Sequence, residues 1–115
     1  MSPPLAPGAG AMLVYTMCPD EDTAHALART LVEERLAACG SVLPGVTSIY
    51  RWRGKIETDG ECLVLLKTRA ERLEALAGRL QALHPYENPE LLAVSVERGA
   101  PAYLRWVVEE TESAS

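Results

Sequence analysis

"TSIYRWRGKIETDGECLVLLKTRAE", residues 47–71, decides how this chain folds. Its first part, with Val46, is β-branched and aromatic and reads as a strand, with Pro44-Gly45 before it and Gly54 after it. An isolated Gly such as Gly54 marks a bulge in an extended run. Thr58-Asp59-Gly60 has turn chemistry. Residues 62–66, CLVLL, are five consecutive apolar residues and read as a second strand. Thr68-Arg69-Ala70-Glu71 then has the spacing of a capping box, in which the Thr hydroxyl and the Glu carboxylate each satisfy a free backbone donor. The segment therefore reads strand, turn, strand, helix start.

Upstream, residues 11–17 (AMLVYTM) form a short apolar strand. Asp20, Glu21 and Asp22 suit a helix N-terminus, where carboxylates meet free N–H groups and the positive end of the dipole. Ala24, Leu27, Ala28, Leu31, Val32 and Leu36 share one helical face, and Gly40 is placed to end that helix. Downstream, Leu73, Leu76, Ala77, Leu80 and Leu83 form the stripe of a second helix. Residues 91–96 read as a fourth strand, and Pro101 opens a short last helix. The order is β-α-β-β-α-β plus a terminal helix. That predicts an α+β, ferredoxin-like sandwich with both long helices on one face of a four-stranded sheet. Residues 1–10, with three Pro and two Gly, read as a disordered arm; 11–110 are one domain and 111–115 a tail.

A sheet covered on one face should alternate apolar and polar side chains. Residues 11–15, 62–66 and 91–94 are apolar at both parities. Leaving roughly six to eight such side chains in water forfeits on the order of 10–20 kcal/mol, an upper bound comparable with the stability of a whole domain. Neighbouring subunits are expected to cover them, which makes the chain an obligate oligomer. The strand carrying Tyr50 and Trp52 is the candidate interface, since aromatic and Arg side chains are favoured there.

The net charge of −5 argues against nucleic acid and anionic membrane partners. Basic-aromatic interleaving at Tyr50-Arg51-Trp52-Arg53 does not reverse that balance. Residues 11–17 are far too short to span a bilayer. Three widely spaced cysteines make no disulfide framework and fit a reducing, cytoplasmic setting. No P-loop, dinucleotide fingerprint, nucleophile elbow or H-E-x-x-H occurs, and nothing orders a catalytic triad, so no enzyme is expected.

"LHPYENPE", residues 83–90, is the other dense stretch. His84 offers an imidazole for copper or zinc, or caps a helix end. Its prolines set a corner between helix and strand. Cys18 lies beside a helix N-terminus, where a thiolate is favoured. Cys39 and Cys62 read as buried small hydrophobes. Lys67, one of only two lysines, ends an apolar strand and either binds an anion in a cleft or closes an ion pair.

The segments CPDEDTAHALARTLVEERLAAC, LPGVTSIYRWRGKIE, LVLLKTR, LHPYENPELLA and PAYLRW resemble the CutA divalent-cation-tolerance family over about residues 12–109. The resemblance implies a tight homotrimer of PII-like architecture and a link to copper and other divalent cations, with no established reaction. Some members of that family carry two histidines before Pro-Tyr and a cysteine near the end of the first strand, proposed as copper ligands. Here the histidine pair is Leu83-His84, and Thr16 fills the cysteine position, with Cys18 two residues on. The metal candidates are accordingly His84 and Cys18, for a weakly bound copper or other divalent ion. Trp52, Lys67, Tyr86 and Glu87 are candidates for a ligand cleft between subunits. The alternative is a PII-like signalling or scaffold module whose clefts take a small anionic ligand or a partner protein.

Overall fold

The computed structural model describes residues 4–112. Its main sheet has four strands: β2 (Ala11–Cys18), β3 (Cys39–Trp52), β4 (Lys55–Arg69) and β5 (Leu92–Ser95), in the order β3-β4-β2-β5. Every pairing is antiparallel. With helices α1 (Glu21–Glu33) and α2 (Ala70–Leu83) this is the α+β, ferredoxin-like βαββαβ order, and α3 (Pro101–Glu110) is the added terminal helix. A short ribbon pairs β1 (Ala6–Pro7) with β6 (Arg98–Gly99).

Parity along the strands separates the two faces of the sheet. Val14, Thr16, Cys18, Cys62, Val64, Leu66 and Thr68 are buried. Most of the apolar ones pack with Leu27, Leu31, Leu76 and Leu80 of the helices as the core. The odd-numbered residues of β2 and β4, and the residues laddered to them, point the other way. Leu13, Tyr15, Met17, Leu63 and Leu65 are only partly covered, and Leu43, Leu92 and Val94 are exposed. The apolar open face expected from the strand composition is present.

Several local expectations fail, each for a local reason. The hairpin turn lies at Arg53-Gly54, not at Thr58–Gly60. Both turn residues have positive φ, 49° and 79°, as a two-residue loop of matching twist requires. Thr58, Asp59 and Gly60 are laddered to Ile49, Ser48 and Thr47. Gly54 is thus a turn residue. The bulge falls between Leu43 and Val46, where Pro44 cannot donate and Gly45 takes φ 76°.

Helix α1 stops at Glu33, because Arg35 adopts φ 59° and the Leu36 N–H closes back on the Leu31 carbonyl at 3.0 Å. Gly40 is a strand residue instead. A Cβ there would sit 3.0 Å from the Ala28 Cβ and 3.2 Å from the Leu66 Cδ2, so glycine permits the close approach of helix and sheet. The Thr68–Glu71 capping box does not form. Thr68 is buried and donates to the Leu36 carbonyl at 2.7 Å, while Glu71 pairs with Arg69.

Parts of the expected arm and tail are among the described residues. Residues 4–10 pass through β1, and Gly8 lies so close to Val96 that an added Cβ would be 1.7 Å from its carbonyl oxygen. Thr111 is fully buried and accepts the Arg69 Nε–H at 3.0 Å, which fastens the end of α3 to β4. The remainder of the expected arm, residues 1–3, and of the tail, 113–115, lies outside the described residues.

Candidate functional site

The corner after α2 carries His84 into the interior. Its backbone N–H still bonds to Leu80, but Pro85 cannot continue the helix. The ring is buried beneath the end of β2. Nε2 lies 2.7 Å from the Met17 carbonyl oxygen, and Nδ1 accepts the Tyr86 backbone N–H at 3.1 Å. A carbonyl can only accept, so the proton sits on Nε2 and both ring nitrogens are engaged. Both contacts suit the structural role expected of this corner.

The fold also brings the two candidate metal contacts together across 66 residues of sequence. Cys18 Sγ is 3.8 Å from His84 Nε2. Cys18 follows the strand rule and points into the core, not toward the free N–H groups of α1. Burial, helped by Cys62, Asp20 and Glu61 nearby, pushes its thiol up to about 11, opposite to the thiolate expected from its place in the sequence. Asp20 itself caps α1, accepting the Thr23 N–H at 2.8 Å.

Among the described residues no three His, Cys, Asp or Glu side chains converge as metal ligands. A protonated thiol and a doubly bonded imidazole do not make a ready copper site within one chain. Cys62 is buried as expected. Cys39 is half-buried on the open face, its sulfur 3.6 Å from Lys67 Nζ.

Beside this corner runs an open groove of about 1210 Å³, lined by Met17, Tyr50, Trp52, Asp59, Glu61, Tyr86, Glu87 and Glu90 among others. Three of the four cleft candidates, Trp52, Tyr86 and Glu87, share it. Lys67 does not. It lies six residues beyond Glu61 on β4, roughly 20 Å along the strand, where Nζ donates to Ser41 Oγ at 2.6 Å.

The groove wall contains four carboxylates and no Lys or Arg. Its field therefore favours cations, the reverse of the anion site that a cleft lysine would make. Tyr86 donates to Glu61 at 2.9 Å, and Tyr50 donates to Asp59. The bond to Asp59 raises the Tyr50 phenol to about 12. Burial first, then Glu61, raises that of Tyr86.

Asp59 and Glu61 are site residues that the sequence reading missed. Placing the turn at Arg53-Gly54 would have found them, because that register sets Asp59 opposite Ser48 and Glu61 opposite Val46. Tyr50 and Trp52 lie on this same surface, so the expected interface and the expected cleft coincide.

Residues 12–110 match the family model for the CutA1 divalent ion tolerance protein. The chain is 45% identical over 118 residues to the Protein CutA of Mus musculus, which covers 98% of this chain and 67% of that one. It is 46% identical over 99 residues to the divalent-cation tolerance protein CutA of Thermus thermophilus, covering 86% and 96%. The crystal structure of CutA from Xylella fastidiosa superposes with a TM-score of 0.88 at 48% identity, covering 90% of this chain and 99% of that one. The chain spans 56% of the length of the human and Arabidopsis relatives, the second of which is named as chloroplastic.

Proposed function

The chain belongs to the CutA1 divalent ion tolerance family, and from that premise we propose that it is a non-enzymatic homotrimer of PII-like architecture, acting in the cytoplasm in divalent-cation tolerance. One observation carries this. The apolar open face of the sheet, which needs other copies to cover it, runs through Met17 directly into a groove whose charged side chains are all carboxylates. A cation-attracting surface thus adjoins a surface built for assembly.

Copper or another divalent ion binds weakly, with His84 and Cys18 as its contacts. Binding there breaks the His84–Met17 hydrogen bond and removes a proton from a reluctant thiol, so affinity is low and rises with pH. Calorimetric titration with Cu²⁺ and Zn²⁺ tests the assignment. A saturable, weak heat should fall in His84→Ala and in Cys18→Ser. No saturable heat, or heat unchanged in both variants, removes it.

A second reading has one observation in its favour. Lys67 stands on the open face with Ser41 and Cys39 as its hydrogen-bond partners and no carboxylate among the described residues. A PII-like module taking a small anion or a partner protein at a subunit junction would use such a lysine. Native mass spectrometry should then show a copurified anion that is lost in Lys67→Ala.

A further inference from the structure

Cys18 and Cys62 face each other directly across the β2–β4 ladder. Both are buried on the closed face, at 0% and 5% exposure, and both are free thiols. Burial alone asks only for small apolar side chains at these positions; two opposed thiols add chemistry. Residues opposed in an antiparallel pair hold their Cα atoms roughly 4.5–5.5 Å apart, within the roughly 4.4–6.8 Å that a disulfide spans. Their Cβ atoms, about 4.5–5.5 Å apart, must close by about 1 Å to reach the usual spacing of a bridge. This end of the ladder can give. Cys18 is the last residue of β2. Cys62 lies opposite the bulge, between Leu63, paired with Leu43, and Glu61, paired with Val46, and no residue of β3 is laddered to it.

We propose that Cys18 and Cys62 are a redox pair, which a hydroperoxide closes into a cross-strand disulfide within one chain. Cys62, the less enclosed of the two, reacts first. Its sulfur attacks the peroxide: the S–O bond forms, the O–O bond breaks, and the departing oxygen leaves as water with the thiol proton. The Cys18 sulfur then attacks the Cys62 sulfenic acid: the S–S bond forms, the S–O bond breaks, and a second water leaves with the Cys18 proton. Two thiols are oxidised and one peroxide is reduced to two waters. Burial raises both thiols, so the first step is slow and the bridge follows sustained oxidation. The closing movement leaves the bridge strained, which makes it easy to reduce and the change reversible. The pairing is independent of metal binding. One consequence rests on the metal reading given above: the bridge takes Cys18 away from a cation, because a disulfide sulfur is no thiolate.

Peptide mapping of the full, metal-free chain tests the bridge. Cys39→Ser, which keeps only the two opposed thiols, is treated with millimolar hydrogen peroxide while circular dichroism shows it native. It is then denatured in acid, alkylated and digested without reductant, with the unsubstituted chain run alongside. Mass spectrometry should show one peptide pair linked through Cys18 and Cys62 in both chains. Alkylation of Cys39→Ser should fall from two thiols to none, and dithiothreitol should restore both. In Cys62→Ala the Cys18 thiol should survive the same treatment, since no sulfur faces it. Both thiols intact after prolonged exposure, a sulfinic acid at Cys62 with no linked pair, or a link that joins two copies overturns the proposal. Calorimetry of the bridged chain with Zn²⁺ separates it from the metal reading. Heat lost on bridging and regained on reduction supports both; a bridge that forms while a saturable heat stays unchanged overturns Cys18 as a metal contact and leaves the redox pair standing.

Discussion

The two faces of the sheet are made from nearly the same amino acids and behave in opposite ways. On one, Val14, Val64 and Leu66 are fully buried beneath α1 and α2. On the other, Leu43, Leu92 and Val94 retain about half of their surface or more. The difference is one of register: alternate residues of the same apolar runs point to opposite sides. Composition says that both faces need covering, and only the helices' position says which one the chain covers for itself. The closed face should govern folding and the open face assembly.

The largest expected effect separates these roles. Leu66→Ala, at a fully buried site, should destabilise the fold by about 2–5 kcal/mol at every protein concentration. Denaturant unfolding at two concentrations checks it; a loss that vanishes on dilution would place Leu66 in the wrong role. On the open face, Leu92→Asp combined with Val94→Asp should leave the circular dichroism spectrum native at concentrations where the chain stays assembled. It should raise the dissociation concentration by about a hundredfold, some 2.7 kcal/mol. Unchanged assembly in that variant would mean the exposed strand edge is not an interface.

A third effect is set by pH. The Cys18 thiol is raised from 9.0 to about 11, so the folded chain holds its proton more tightly than the unfolded chain. Its contribution is complete below pH 9 and is lost as pH rises toward 11. The amount is on the order of 1–2 kcal/mol. Stability curves at pH 8 and 10.5 should show this slope, and Cys18→Ala should flatten it by that share while the tyrosines continue to titrate. An identical slope in the variant would show that the thiol is not desolvated.

The smallest effect concerns Thr16 on the closed face. Its hydroxyl is buried, and among the described residues it has no hydrogen-bond partner. Thr16→Val keeps the shape and removes an unsatisfied polar group. It should be neutral or stabilise by up to about 1 kcal/mol; a clear loss in thermal unfolding would reveal a partner for that oxygen.

The same contrast explains what the sequence could yield. Element order, the helix stripes and the two-sided apolar strands were legible because each repeats over many residues. The turn was not. Thr58-Asp59-Gly60 has better turn composition than Arg53-Gly54, and only the cross-strand ladder excludes it. That error hid Asp59 and Glu61, and with them the sign of the groove's charge. His84 and Cys18 could be named as candidates from their residue types. Their 3.8 Å approach, the engagement of both imidazole nitrogens and the protonated thiol depend on tertiary burial, which no local pattern encodes. Lys67 was grouped with Trp52 and Tyr86 by chemistry, and the length of β4 sets it apart from them.

Sedimentation equilibrium of the unmodified chain across the micromolar range tests the central claim most directly. The proposed homotrimer predicts a species of three times the 12.5 kDa chain mass, with native circular dichroism, that loses its fold as it dissociates. A single, fully folded 12.5 kDa chain throughout that range would contradict it.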